Sequence, residues 1–401
     1  MIDLSLYWSL PTPRRLLKKI TDISAATKVV GINSPRSLAV ETWPHAKTAM
    51  SGHHVSRDFP LRVRQGTDLS ADIGFHFGVN HMSAAALAHV IDAPLTAIFL
   101  QPEDMGGWNS AREYVMEFLR TVQQSNSINC PVRIILDMQD PVIIHDNRSG
   151  EFSVFAFDGG LTSEEMDAYV AMRLIEKLDL PNGLESGEYQ LRKSIIASFS
   201  GFDAVLAERM LDWQPNDVIC VTDRLTSLLD DDPSRWGSTS WINGTINSHG
   251  NIHTLRLQYL KLHGSDTEKN AANAEIKKLY WKACLKSITP WLEEIRPVVV
   301  KVMKPHIKKQ ADFNSGKLMK EVNGVPRYTK IDDVEFSTIA WMGKSRKFSR
   351  LNTEEDTAVA VCLAATDVRN EIAHLRAPKN QDVVHLVTRL NTFKSACARF
   401  F

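Results

Sequence analysis

The 401-residue sequence predicts an α/β domain with a mostly parallel sheet, followed by a helical segment and an all-α C-terminal domain. Three observations predict this. Strand-like and helix-like stretches alternate through the first 140 residues, as in βαβ units. From about residue 160 the apolar spacing is helical almost throughout. A Gly-, Ser- and Asn-rich stretch with little periodicity, residues 237–251, separates the halves as a linker or exposed loop. The boundaries are an α/β domain over 1–150, a helical subdomain over 151–236, and a helical domain over 252–401.

In order, "TPRRLLKKITDI" reads as a helix with Thr12 as cap and Pro13 in its first turn, "TKVVGI" as a short strand, and "PRSLAVETWPHAKTAM" as a helix. "IGFHFGV" alternates like a strand. "SAAALAHVI" reads as a helix, "LTAIFL" as a buried strand, "GWNSAREYVMEFLRTVQQ" as an amphipathic helix and "PVRIILDM" as another buried strand. "TSEEMDAYVAMRLIEKL" opens with capping-box spacing, Thr162 to Glu165. "RKSIIASFSGFDAVLAERMLDW" reads as two helices hinged at Gly201. After the loop come helices over "TLRLQYLKLHG", "EKNAANAEIKKLYWKACLKSI" and "PWLEEIRPVVVKVMKPHIKKQ", then a basic irregular stretch to about 335 and a short apolar run, "FSTIAWMG". Two more helices close the chain, "EEDTAVAVCLAATDVRNEIAHL" and "VVHLVTRLNTFKSACARF".

Forty-seven Lys and Arg balance forty-seven Asp and Glu, so net charge points to no partner. Its distribution is uneven: residues 151–235 carry 17 acidic against 7 basic residues, and residues 301–350 carry 12 basic against 5 acidic. The basic segment offers a phosphate-attracting surface, with Lys344, Arg346, Lys347 and Arg350 as candidate RNA-binding residues. Five well-separated cysteines with no C-x-x-C pair fit neither a zinc site nor a disulfide framework and suit a reducing cytoplasm. Neither a signal peptide nor a run of eighteen apolar residues is expected, so no membrane partner is.

An α/β domain opening on strand, loop and helix invites a search for the phosphate loop G-x-x-x-x-G-K-[ST]. "GINSPRSLAV" does not match it, and "TAIFLQPED" places Gln101 and Pro102 before Glu103 and Asp104. A later strand, "RIILDMQD", carries Asp137. The order of these elements, with a helix before the first strand and the helical "SIIASFSGFDAVLAERMLDW" in the place of a lid, resembles the STAND and wider AAA class of ATPase modules. It is similar to inactive STAND-like members of bacterial conflict systems, a P-loop-NTPase-like fold without Walker A. That resemblance implies sensing of a protein or nucleotide trigger, not ATP hydrolysis.

In "TEEDTAVAVCLAATDVRNEIAHLRAP", Thr353 with Asp356 has capping-box spacing, Glu354 and Glu355 suit the positive end of the dipole, and Pro378 stops the helix. Val361, Cys362, Ala365, Val368, Ile372 and Leu375 form one apolar stripe. Arg369 lies beside that stripe and His374 about 140° away, so one helix does not bring them to a single face without a frayed last turn or a second subunit. "RNEIAH" resembles the R-N-x-x-x-H signature of the HEPN family of helical-bundle domains. Membership implies a metal-independent endoribonuclease, active as a homodimer through the C-terminal domain, with Arg369, Asn370 and His374 as catalytic residues and no cofactor. The residue types suit that chemistry: RNA supplies its own 2′-hydroxyl nucleophile, an imidazole moves protons near neutral pH, and a guanidinium pairs with phosphate oxygens.

The expected function is thus an RNA-cleaving effector or toxin of antiviral defence, regulated by its N-terminal module. Two alternatives stand beside it: a non-catalytic adaptor, and a relative of effectors joining a cyclic-oligonucleotide-binding CARF sensor to HEPN. The histidines His53, His54, His76 and His81 lack the companions of a metal site and read as surface or core residues. Trp281 and Trp291 read as core residues rather than base-stacking platforms.

Overall fold

The computed structural model describes residues 5–33, 35, 47, 57–125, 129–138, 152–157, 160–178, 187–229, 233–310, 317–322, 325–345, 347–348 and 350–401. The chain forms two compact units: Met1–Tyr169 with Phe202–Val205 and Asp232–His253, and Val170–Gly201 with Leu206–Asp231 and Thr254–Phe401.

The first unit is built on five parallel strands, β1 (Val29–Asn33), β2 (Arg57–Val63), β3 (Thr96–Pro102), β4 (Val132–Met138) and β5 (Phe152–Ala156), in the order β2-β3-β4-β1-β5. The inner strands are buried on both faces, as parallel sheets require, so their sequences are continuous apolar runs. Helices α1 (Ser5–Ser9) and α2 (Pro11–Ala26) precede the sheet; α3 (Leu69–Phe77) and α4 (Ala84–Ala88) stand between β2 and β3, and α5 (Met105–Gln124) links β3 to β4. Ile98, Leu100, Ile134 and Leu136 share one core with Ile73 of α3, Leu87 of α4 and Trp108 and Phe118 of α5.

Several expectations hold and several need correction. Helix α2 begins at Pro11, one residue before Thr12, whose N–H donates to Glu165 Oε1 at 2.7 Å instead of Thr12 acting as cap. "IGFHFGV" lies in α3 rather than in a strand. Asp68 accepts from Ala71 N at 3.0 Å and Gly78 ends the helix at φ 74°, while Phe75 is left exposed, so the alternation of aromatics was not a strand period. Strands β2 and β5 went unread because they form the two edges, where Pro60 is tolerated and polar residues interrupt the apolar run. Residues 237–251 do not form a bare linker: Thr245 and Asn247 are buried, an isolated bridge joins Ile246 to Ile252, and the segment belongs to the sheet-containing unit. The helix expected over 35–50 lies largely outside the described residues, as do His53, His54 and Arg346.

Helix α6 (Ser163–Leu178) opens on the predicted capping box, with Glu165 N donating to Thr162 Oγ1 at 3.2 Å and Thr162 N to Glu165 Oε2 at 3.0 Å. Helices α7 (Gly187–Ser200) and α8 (Ala204–Leu211) are separated at Gly201, whose φ of 59° fits the predicted hinge. Short helices α9 (Pro215–Ile219), α10 (Val221–Arg224) and α11 (Pro233–Gly237) follow.

The second unit is organised around α12 (Thr254–His263) and α13 (Asp266–Gln310), the latter a single 45-residue helix where two were expected. Pro290, Pro297 and Pro305 lie inside it and are exposed, while Cys284, Ile288, Leu292, Ile295, Val299 and Met303 keep one buried stripe running past them. Burial of that stripe overrides the local cost of the prolines. Gly187 permits α7 to meet it closely: a Cβ there would stand 1.8 Å from the Trp291 ring. The stretch expected to be irregular holds an antiparallel hairpin, β6 (Lys317–Val322) with β7 (Val325–Lys330), in register Val322 to Val325. In the sequence the dipeptide Asn323-Gly324, a two-residue hairpin signal, separates the two strands. Helices α14 (Phe336–Lys344), α15 (Thr353–Ala373) and α16 (Asn380–Ala396) complete the unit. Among the described residues no helix is long and apolar enough to cross a membrane.

Candidate functional site

The residues Arg369, Asn370 and His374 occupy the C-terminal end of α15. This helix starts at a capping box one residue earlier than the sequence spacing suggested: Asn352, not Thr353, is the cap, with Glu355 N bonded to Asn352 Oδ1 and Asn352 N to Glu355 Oε2, both at 2.9 Å. The second Glu355 oxygen lies 3.1 Å from His306 Nε2 near the end of α13. Val361, Cys362, Ala365, Val368 and Ile372 are buried as the stripe predicts, whereas Leu375 is 75% exposed because the helix has ended before it.

How it ends matters most. The last helical residue is Ala373, and His374 caps it at φ −89°, ψ 17°. The His374 N–H donates to the Asn370 carbonyl at 3.0 Å, the Leu375 N–H to Ile372 at 3.1 Å, and the Arg376 N–H to Glu371 at 2.9 Å. Leu375 sits at φ 57°. These bonds form a left-handed helix stop, with leucine at the position that ordinarily favours glycine. Arg376 also makes two 2.9 Å side-chain bonds to Glu371. From α13, Trp281 Nε1 donates to the Ile372 carbonyl at 3.0 Å. The backbone around His374 is therefore fixed on both sides of the residue.

The side chains divide. His374 and Asn370 are exposed, and among the described residues no side-chain hydrogen bond engages either. Arg369 is half-buried and forms ion pairs with Glu335, the residue preceding α14, and with Glu293 of α13, the second at 3.7 Å. No hydrogen bond joins Arg369 to His374. The helix terminates before His374 in an ordered stop rather than a frayed turn, and Arg369 is turned toward two carboxylates from other elements.

The basic candidates gather around the end of α14. Lys344, Lys347 and Arg350 are exposed, Arg350 at φ 53°, and Lys347 Nζ lies 5.4 Å from the centroid of the Trp341 ring. Neither Trp341 nor the Arg369 carboxylates were identified from sequence. Glu293 and Glu335 are 76 and 34 positions from Arg369 in the chain, and no local pattern announces such pairs. Trp291 is buried as expected; Trp281 is only partly so, and its indole N–H makes the hydrogen bond to Ile372.

At the end of β3, both acidic residues have structural employment. Glu103 pairs with Arg64 and, at 3.5 Å, with Arg62. Asp104 caps α5, accepting from Gly107 N at 2.6 Å and Gln65 N at 3.0 Å, and these bonds hold its carboxyl below the usual range. His76 stacks on Phe59 with ring centroids 3.9 Å apart, and His81 is exposed. Among the described residues no group of three or more His, Cys, Asp or Glu side chains could hold a metal ion. Burial pushes the Cys284 thiol up to about 12 and Cys362 higher still, so neither supplies a thiolate near neutral pH.

No protein-family model matches the chain, and no curated protein matches it.

Proposed function

We propose that the chain is a HEPN-type, metal-independent endoribonuclease effector of bacterial antiviral defence, working as a homodimer and regulated by a STAND-like N-terminal module that does not hydrolyse ATP. The observation that carries the reading is the end of α15: His374 and Asn370 stand exposed on a backbone fixed by Trp281 and by the left-handed stop, in the same helical turn and a half as Arg369. In the reaction the 2′-oxygen of a nucleotide attacks its own 3′-phosphorus. His374 transfers the protons, Arg369 and Asn370 stabilise the phosphorane charge, and the bond to the 5′-oxygen breaks. The products are a 2′,3′-cyclic phosphate and a 5′-hydroxyl. A second copy supplies the facing motif, because one helix presents Arg369 and His374 in different directions.

Support for the N-terminal part is the all-parallel strand order β5-β1-β4-β3-β2, with β4 central between β1 and β3. A parallel sheet with a helix before its first strand is compatible with the STAND-like reading taken from the order of elements in the sequence. Glu103 and Asp104 are committed to ion pairing and capping, in keeping with a module that keeps the fold without the chemistry.

A second reading, a non-catalytic adaptor, draws on the ion pairs that occupy Arg369. One experiment separates them. Purified protein is incubated with total RNA in EDTA beside Arg369→Ala and His374→Ala. Cleavage by the wild type with loss in both variants is expected; an inert wild type, or variants that cut equally well, favours the adaptor.

A further inference from the structure

We infer that Trp341, with Lys344 and Lys347, is a stacking platform for single-stranded RNA. The inference deepens the ribonuclease reading and rests on it for the identity of the nucleic acid. Helix α14 buries Phe336, Ile339, Ala340 and Met342, which is all its packing needs. Trp341 remains 44% exposed on the outer side, and among the described tryptophans no other is in the exposed class. Lys344 stands one turn further along the same face, and Lys347 Nζ is 5.4 Å from the ring centroid, at the outer range of a cation–π contact. Residues 336–352 carry four basic side chains and no acidic one. An aromatic ring framed by cations suits a base on the ring and phosphates on the lysines.

Along the axis of α14 the platform lies about two turns from the level of Arg369. Helix α14 runs antiparallel to α15: Glu335 at its start pairs with Arg369, and Gly343 near its end lies against Val359, where a Cβ would come within 2.7 Å of the valine side chain. Six residues from Glu335 to Trp341 advance about 9 Å along the helix. Gly343 marks the side of α14 that faces α15, and Trp341, about 200° round the helix from it, faces away from that side, so the platform is a binding surface separate from the arginine. A duplex hides the faces of its bases in the stack, so the ring selects unpaired RNA.

The test uses the full chain carrying His374→Ala, so that bound RNA stays intact, and measures fluorescence anisotropy in EDTA with a labelled oligouridine of about twelve nucleotides and with an RNA duplex of the same length. Oligouridine binding is expected to weaken about tenfold with Trp341→Ala and to be largely kept with Trp341→Phe, with the duplex bound more weakly than the single strand. Lys344→Gln with Lys347→Gln is expected to flatten the salt dependence. Absent oligouridine binding, unchanged affinity in Trp341→Ala, or equal affinity for the duplex overturns the inference. So does a Trp341-dependent self-association that leaves RNA affinity unaltered. The two readings fail separately: cleavage that needs His374 but not Trp341 rejects the platform alone, and Trp341-dependent binding without cleavage by the wild type rejects the nuclease alone.

Discussion

The indole Nε1 of Trp281 donates a 3.0 Å hydrogen bond to the carbonyl of Ile372, so the long helix α13 holds the turn from which His374 emerges. Replacing Trp281 by Phe keeps most of the apolar volume and removes the donor. Stability is expected to fall by about 1 kcal/mol, read from the urea midpoint. RNA cleavage is expected to fall further than stability alone explains. Unchanged unfolding would show that the bond contributes nothing.

Leu375 occupies a left-handed conformation at φ 57° with its side chain 75% exposed. Glycine adopts this conformation without penalty and the leucine has little packing to lose. Leu375→Gly is therefore expected to stabilise the protein by up to about 1 kcal/mol, and Leu375→Val to destabilise it by more than about 1 kcal/mol. Thermal unfolding of the pair distinguishes this from a loop indifferent to its backbone angle.

Gly187 has no room for a methyl group, since its Cβ would overlap the Trp291 ring at 1.8 Å. Gly187→Ala is expected to cost at least about 1–3 kcal/mol by forcing α7 off α13. A lowered melting temperature with Trp291 fluorescence shifted toward longer wavelength is the expected signature.

Glu165 accepts from the backbone of Thr12 and Thr162. Burial pushes its carboxyl up, but the Thr162 and Thr12 bonds and the charge of Arg15 outweigh that and hold it below the ordinary glutamate value. A folded-state value below the unfolded one means that the stabilisation is full above the ordinary glutamate range and is lost as pH falls through the lowered value. Acid unfolding of the wild type is thus expected to lose stability over that window, and Glu165→Gln to show a shallower loss there and lower stability at neutral pH.

Glu335 makes no side-chain cap on α14, so Glu335→Gln releases Arg369 from its nearer carboxylate at little structural cost and leaves Glu293 at 3.7 Å. RNA cleavage is expected to rise by up to about fivefold, the scale of a partly exposed ion pair. A decrease would make Glu335 part of the catalytic apparatus rather than a competitor for the arginine.

What could be read from sequence followed the range of the interactions. Buried parallel strands, the Thr162 capping box, the Gly201 break and the α15 stripe are set by residues a few positions apart, and they were legible. The β2 and β5 edges were not, because an edge strand has no continuous apolar run to announce it. Helix α3 imitated a strand through Phe75, an aromatic exposed rather than buried. At the candidate site, the motif residues and their helix were legible. The carboxylates on Arg369 and the Trp281 bond depend on residues brought together from 34 to 91 positions apart.

The prolines of α13 carry a geometric consequence. At 100° per residue, Pro297 lies about 20° to one side of Pro290 and Pro305 about 60° to the other, so all three fall on one solvent-facing flank. Any bend at these points would add to the others rather than cancel, with the apolar stripe on the inner side. The spacing of three residues thus keeps every break in the hydrogen-bond ladder on the wet side of the helix and leaves the side that the other helices meet uninterrupted.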